Sequence, residues 1–468
     1  MKILHTSFEC HPVAKVGGLA DVVGALPKYQ SNFDIDSFVV MPFYKNTYLK
    51  KKKLQEVYKG TIDLNGNTYE YVVSKFESKN ISYKLFLIQI VGLLDTENVY
   101  GYTNETHRYI GFQKALLDWI QQSDLNFDVI HCHDHHTSLI PFFINHCSDY
   151  KYLQNIPTVL TIHNAQYQGQ FSHENLDLLP EFDFTNVGLL DWYGSVNPLA
   201  AGIKCATKVN TVSPSYMEEL KESACGLEGL LSSESQKFSG ILNGIDTSVW
   251  NPETDNSLSK NYKVGNVISG KKANKLALCK EYGFNPDLPL FGFIGRLVYE
   301  KSADLLADVI REVLSNNKEL NIFILGSGNE EIEKDIEQLK EEFPENFNAY
   351  IGYDEALSHL IYAGADFLLM PSRVEPCGLN QMYSLRYGTV PIVRRTGGLR
   401  DTVIDIGDGG FGICHDQASV WDICYSIGRA IELFKDQKSF RKIQKQIMKI
   451  DNSWDKSAKE YVDLYKSI

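Results

Sequence analysis

Residues 2–6, Lys-Ile-Leu-His-Thr, lead into Lys15-Val-Gly-Gly-Leu-Ala-Asp-Val-Val-Gly-Ala-Leu-Pro27. The first piece is a short apolar run ending in polar residues, the pattern of a buried parallel strand. The second places two glycines ahead of a segment with helical apolar spacing, so the pair reads as strand, turn, helix. The unit recurs down the chain. Phe38–Met41, Val129–Cys132, Thr158–Ile162 and Lys208–Val212 read as further strands of one series. Phe291–Ile294, Ile322–Leu325, Phe367–Met370 and Val390–Val393 form a second series. Helices are predicted at Thr106–Ser123, Ser302–Asn316, Glu330–Phe343 and Gln417–Lys435. Alternation of this kind marks an α/β protein with parallel sheets.

A chain of 468 residues is too long for one core, so two domains are expected. The composition breaks at Asp246–Lys271, where Trp250-Asn-Pro252 is followed by a polar stretch of Asn, Ser and Lys. The boundary is placed there: residues 1–245 make a first Rossmann-like domain and 246–450 a second. Residues 451–468 carry Trp454, Ala458, Tyr461, Val462 and Tyr465 at helical spacing, as a closing helix would. Two doubly wound sheets with a cleft between them would bind ligands at the carboxyl ends of their strands.

The net charge is −13, which argues against general nucleic-acid binding. The N-terminus lacks the apolar run of a signal peptide, and no segment is long and apolar enough to cross a bilayer. The nine cysteines include no Cys-x-x-Cys pair, which suits reduced thiols and a cytoplasmic location.

Four segments carry candidate chemistry. In 15–27, Gly17 and Gly18 would let the backbone approach a ligand, and the helix they open would aim free amides at an anion beside Lys15. A plain tight turn, with Asp21 as a first-turn acid, explains the segment equally well. In Phe293-Ile-Gly-Arg-Leu-Val-Tyr-Glu-Lys301, Arg296 and Lys301 follow a strand; they suit a diphosphate, or are simply exposed cations. In Met370-Pro-Ser-Arg-Val-Glu-Pro-Cys-Gly-Leu379, Glu375 precedes a proline fit for a helix's first turn, with the amides of Cys377, Gly378 and Leu379 facing a ligand. Gly397-Gly398 offers another anion-cradling turn. In His131-Cys-His-Asp-His-His136, adjacent residues on a strand point to opposite faces, so a single metal shell is not expected. A polar cluster at strand ends, with Thr161-Ile-His163, fits better. Asp34-Ile-Asp36 precedes a strand and reads as a chance match to a metal clip, and Lys50–Lys53 as a solvated loop.

Together, these segments resemble bacterial glycogen synthases and plant starch synthases. The matching stretches are 15–27, 127–141, 161–169, 206–216, 240–246, 295–301 and 371–403, in order along nearly the whole chain. The resemblance implies a GT-B fold and transfer of glucose from ADP-glucose to the non-reducing end of an α-1,4-glucan. It also implies retention of anomeric configuration, no bound metal and no cofactor. Lys15, Gly18, Arg296 and Lys301 match the family's diphosphate contacts. Glu375 matches its essential glutamate, and Cys377 lies in the same sugar loop. Asp21, Asp134, His163 and Asn243 match positions implicated in donor or acceptor binding. Several positions depart from the pattern: Glu300-Lys-Ser302 where many relatives have Gln-Lys-Gly, His135 for a frequent Trp, Val374 for a frequent Phe, and Val16 for a frequent Thr. Eight residues beyond Glu375, where some related transferases carry a second acid, stands Tyr383. The expected partners are a nucleotide sugar and a glucan, with neither nucleic acid nor membrane. UDP-glucose as donor, another GT-B transferase making a small glycoside, and a glucan-binding scaffold without activity are the alternatives. Oligomeric state is not legible.

Overall fold

The computed structural model describes residues 1–79 and 81–468. Its strands are β1 (Lys2–Thr6), β2 (Asp36–Pro42), β3 (Leu54–Leu64), β4 (Asn67–Phe76), β5 (Lys84–Ile90), β6 (Val129–His133) and β7 (Thr158–Ile162). A two-stranded hairpin, β8 (Asp191–Trp192) and β9 (Ser195–Val196), follows, then β10 (Lys208–Thr211) and β11 (Phe238–Gly240). The remainder are β12 (Leu290–Ile294), β13 (Asn321–Gly326), β14 (Phe347–Ile351), β15 (Phe367–Met370), β16 (Val390–Arg394) and β17 (Ile413–His415).

The chain divides into two units: Met1–Gly244 with Trp454–Ile468, and Ile245–Ser453. The joins anticipated at 245 and 450 lie within a few residues of these limits. In the first unit a nine-stranded sheet runs β11-β10-β7-β6-β1-β2-β5-β4-β3. From β11 to β5 neighbouring strands are parallel, and β5, β4 and β3 pair antiparallel. β1 is buried along nearly its whole length, as a strand covered on both faces must be. The antiparallel edge was not foreseen, and the reason is visible. β3 alternates exposed and covered residues and is largely polar, so it lacks the apolar run that marks a buried strand. Lys50 and Lys51, expected in a loop, form a short 3-10 turn before it.

The second unit carries a six-stranded, wholly parallel sheet, β14-β13-β12-β15-β16-β17. β14 and β17 escaped the reading because they are short and partly polar. Helices form at Glu105–Gln122, Leu306–Asn316, Glu330–Glu342 and Val420–Lys435. The helix anticipated from Ser302 therefore starts later. Ser302 takes a left-handed conformation (φ 55°) that cannot continue a right-handed helix, and a 3-10 turn Ala303–Leu305 intervenes.

Helix Trp454–Lys466 packs in the first unit against helix Gly18–Gln30. Trp454, Ala458, Tyr461, Val462 and Tyr465 form its buried stripe, meeting Ile3, Val22, Leu26, Tyr29 and Val129. Each such side chain removed from water contributes on the order of 1.5–3 kcal/mol, enough to hold a helix that local propensity alone would not.

Candidate functional site

The strand orders locate the sites before any side chain is considered. In the first sheet the chain moves outward from β1 to β2 and later returns to the other side of β1 as β6. In the second it moves outward from β12 to β13 and β14, then returns beside β12 as β15. At such a reversal the two following loops diverge and leave room at the strands' carboxyl ends. The loops after β1 and β6 contain Lys15, Gly18 and Asp134. Those after β12 and β15 contain Arg296, Lys301 and Glu375.

In the first unit, Gly17 is the N-cap and Gly18 the first residue of helix Gly18–Gln30. The helix opened by this turn was expected to aim free amides at a ligand, and the turn itself presents the amides of Val16 and Gly17. Instead Glu9 Oε2 accepts from both, at 2.6 and 2.9 Å, and Glu9 Oε1 accepts from the Tyr100 hydroxyl at 2.8 Å. The protein's own carboxylate thus shapes the loop, although burial, opposed by these bonds, raises its pKa. Sequence reading passed over Glu9; an acid alone between an apolar strand and a Gly-Gly turn was the available signal. Lys15 Nζ donates to Asp21 Oδ1 at 2.8 Å, and both side chains are partly exposed.

Asp134, just beyond β6, also has a positive φ of 57°. Its Oδ1 accepts from the His163 amide at 2.7 Å and the Asn164 amide at 3.4 Å. Burial outweighs those bonds and lifts its pKa to about 7. Asn243 is buried, and its Oδ1 finds no hydrogen-bond partner among the described residues. A buried acceptor left unsatisfied is costly, so it is a reasonable place for a ligand donor.

The histidine run departs from expectation. His131 lies inside β6 and His133 is its last residue, and side chains two apart share a face. His5 on the neighbouring β1 faces them, and one ring nitrogen from each of the three falls within 4.8 Å of the others. The spacing alone could suit a metal. The donor set does not: both nitrogens of all three rings already bond to Gln30, Tyr465, Thr161 or another histidine. His135 and His136 pack instead among Phe8, Tyr100 and Tyr109. Asp34 and Asp36 form no pair: Asp34 ends a turn in the left-handed region and Asp36 binds Lys84 at 2.8 Å.

In the second unit, Lys301 Nζ donates to Glu375 Oε2 at 2.6 Å, and the Ser372 hydroxyl donates to the same oxygen at 2.9 Å. Glu375 is buried and Lys301 partly exposed, so the lysine is the accessible end of the pair. Arg296 is about half exposed and meets Glu300 at 3.1 Å. The Glu300 carbonyl accepts from the Arg373 and Val374 amides, which ties the two loops together. Arg373 reinforces the tie through Asp304 and by lying over Tyr299, 3.7 Å from the ring centre.

The helix anticipated from Pro376 begins at Asn380, leaving Cys377, Gly378 and Leu379 in the loop. Gly378 has φ 72°, so the chain turns there in a way a larger residue would resist. Gly397 and Gly398 belong to the same construction. A Cβ on Gly397 would stand 2.0 Å from the Glu375 carbonyl oxygen, and one on Gly398 2.2 Å from that of Cys377. The Gly398 amide donates to the Glu375 and Pro376 carbonyls at 3.2 and 3.3 Å. That amide is committed to the glutamate loop and not free for an anion. Tyr383 stacks on Trp250 in the interior, 3.8 Å between ring centres, and Trp250 stacks on His359.

Residues 2–233 match the family described as starch synthase catalytic domain, and residues 274–446 that described as glycosyl transferases group 1. A glycogen synthase of Flavobacterium johnsoniae is 52% identical over 469 residues, covering 100% of this chain and 99% of that one. The chain belongs to the glycogen synthase family. It is a glycosyltransferase of the GT-B type, each unit built around a Rossmann-like sheet. The glycogen synthase of Thermosipho melanesiensis is 39% identical over 99% of this chain and 98% of its own. The catalytic domain of starch synthase IV from Arabidopsis thaliana, solved with ADP and acarbose, superposes with a TM-score of 0.92. It shares 32% identity and covers 99% of this chain and 98% of its own. A sucrose-phosphate synthase from Thermosynechococcus elongatus shares the fold at 15% identity and a TM-score of 0.62. Among the described residues no helix is long and apolar enough to cross a membrane.

Within this glycogen synthase relative, the sites expected from sequence fall into two groups. Lys15, Gly18, Asp21, Asp134, His163 and Asn243 belong to the first unit, and Arg296, Lys301, Glu375, Cys377, Gly378, Leu379, Gly397 and Gly398 to the second. The structure adds Glu9 to the first group and Ser372 to the second.

Proposed function

We propose that this glycosyltransferase moves glucose from ADP-glucose to the 4-hydroxyl at the non-reducing end of an α-1,4-glucan, with retention and without a metal. The Lys301–Glu375 pair carries the reading. A single cation shared with a carboxylate at a strand's carboxyl end is poised for exchange. The diphosphate would draw Lys301 away, and Lys301 with Arg296 would neutralise the charge that grows on the leaving group. Glu375, kept near by Ser372, is then free to hold the glucose hydroxyls and ease positive charge at the ring. The relative solved with ADP and acarbose supports an adenine nucleotide on this scaffold.

Retention by double displacement would need a carboxylate under the anomeric carbon. Tyr383, at the position where some related transferases have an acid, carries no carboxylate and is stacked on Trp250 in the interior. Attack from the leaving-group face is therefore the favoured route. Exclusion of water would protect the donor from hydrolysis. Such an enzyme would work in the cytoplasm, which its free cysteines support.

The deciding experiment is the initial rate of glucose transfer to glycogen with ADP-glucose and with UDP-glucose at equal concentrations. Faster turnover with ADP-glucose is expected, together with ADP release in step with polymer growth. Preference for UDP-glucose would reject the donor assignment, and no nucleotide release from either would make the chain a glucan-binding scaffold.

A further inference from the structure

One buried polar assembly is not used by the loops above, and it runs through the middle of the first unit. Gln30 Oε1 accepts from the Ser37 hydroxyl at 2.8 Å and lies 3.0 Å from His5 Nε2. His5 Nδ1 lies 3.2 Å from His133 Nε2, and His133 Nδ1 lies 3.0 Å from His163 Nε2. On its other side Gln30 Nε2 donates to the Tyr465 hydroxyl at 3.0 Å.

The direction of every bond in this train follows from its first member. An amide oxygen has no hydrogen to give, so His5 Nε2 carries the proton. A neutral imidazole has a single N–H, so His5 Nδ1 is a bare acceptor. His133 Nε2 must then donate to it, which leaves His133 Nδ1 bare. His163 Nε2 donates in turn, which leaves His163 Nδ1 as a free lone pair. The premise of neutrality holds because all three rings are buried: the pKa of His5 falls to about 4, that of His163 to about 3, and that of His133 well below its ordinary value.

A second branch fixes the same direction. Tyr465 donates to His131 Nδ1 at 2.7 Å, and His131 Nε2 donates to Thr161 Oγ1 at 2.6 Å. Thr161 donates to Asn210 Oδ1 at 2.7 Å, and Asn210 Nδ2 donates to the Tyr461 hydroxyl at 3.1 Å and toward the Thr211 carbonyl at 3.5 Å. Reversing the whole network would set the Asn210 oxygen against that carbonyl and leave the Ser37 hydroxyl without its acceptor.

We propose that Gln30, His5 and His133, braced by Tyr465, are positioning residues that hold His163 in its Nε2–H tautomer, so that Nδ1 is offered as an acceptor to a sugar hydroxyl. The proposal rests on the reading that His163 serves the transferred or accepting sugar. No other group bonds His163 Nδ1 among the described residues, and the backbone of His163 is fixed independently by Asp134. The closing helix thereby takes part in the chemistry through two tyrosine hydroxyls, not only through its apolar stripe.

The test uses the full chain labelled with 15N-histidine. Long-range 1H–15N spectra at pH 7.5, assigned with His163→Gln, report the tautomer of each ring without any substrate. Protonated Nε2 and bare Nδ1 at His5, His133 and His163 are expected. A charged His163, or one protonated at Nδ1, overturns the proposal. Gln30→Met removes the first acceptor at constant volume. It should mix the His163 tautomers and lower kcat about tenfold, the scale of one lost hydrogen bond, with the glucan KM little changed. Ser37→Ala leaves the Gln30 oxygen in place and should alter neither. Mixed tautomers with undiminished kcat would overturn the positioning role. Full activity in His163→Gln would sink the sugar-site reading, and the positioning role with it, while leaving the tautomer assignment intact. If Gln30→Met does not fold, the wild-type spectrum alone still decides the tautomer.

Discussion

The two units solve the problem of holding polar groups at a strand end in opposite ways. In the second unit the groups are charged and paired, with the cation as the accessible member: Lys301 on the buried Glu375, and Arg296 with Glu300. In the first unit, apart from Lys15 and Asp21, they are buried and largely uncharged. Six histidines (His5, His131, His133, His135, His136 and His163) all have their pKa lowered by burial. The exposed Arg296–Glu300 contact can be exchanged for an incoming diphosphate at small cost, while the buried Glu375 keeps the Ser372 hydroxyl as a donor when Lys301 turns to the ligand. A buried neutral network cannot be exchanged, but it holds direction, since each donor has one acceptor. The charged half suits a leaving group, and the neutral half suits recognition of sugar hydroxyls.

The largest expected effect concerns acid. A histidine whose folded pKa lies below 6.5 stays neutral in the fold while the unfolded chain takes up protons. Stability is then complete above about pH 6.5 and is lost as pH falls toward the folded values near 4 and 3. Each group contributes about 1.4 kcal/mol per pH unit of that window. Six of them outweigh Asp134 and Glu9, whose raised pKa values act in the opposite direction. Urea unfolding at pH 7 and pH 5, with mass-spectrometric labelling of each unit, should show the first unit weakening by several kcal/mol, and the second far less. Equal losses in both would break the contrast between the halves.

Next is the charged pair. Lys301→Ala should lower kcat by roughly 10²–10³-fold, the scale of a lost electrostatic stabiliser, with unchanged circular dichroism. Glu375→Gln should fall in the same range. Full activity in either would remove the charged pair from the reaction.

A smaller effect is expected at Asp134. Its folded pKa of about 7 exceeds the ordinary 3.8, so its stability contribution is unfavourable above pH 7 and recovers as pH falls toward 4. Asp134→Asn should therefore raise stability at pH 8 by about 1–3 kcal/mol relative to its effect at pH 5, on the scale of 1.4 kcal/mol per unit. A gain that does not vary with pH would show that Asp134 is ionised like a surface acid.

The smallest is a change of a few fold. Glu300 competes with the donor for Arg296 across an exposed contact, worth at most about 1 kcal/mol. Glu300→Gln should lower the donor KM about two- to fivefold, since that is the rate equivalent of such a pair. A raised KM would mean that Glu300 helps to place Arg296.

Much of this was legible in one dimension. Strands such as Lys2–Thr6 and Phe367–Met370 announce themselves because burial on both faces demands an unbroken apolar run. Lys15, Lys301 and Glu375 could be singled out because turns with Gly or Pro at strand ends are where ligands meet backbone. The edge strands Leu54–Leu64 and Asn67–Phe76 could not be read, because half-exposed positions admit polar residues and blur the period.

What the sequence determined by itself was the α/β alternation, the approximate join near residue 245 and the identity of the charged residues, since each depends on neighbours a few positions apart. Only the tertiary structure decided which way the histidines point and what they bond. His5, Gln30, His133, His163 and Tyr465 come from five distant places in the chain, and their proton positions follow from contacts between them. It also decided that the Gly397–Gly398 turn serves the Glu375 loop, because a close approach between two backbones leaves no mark in either segment except the absence of a side chain.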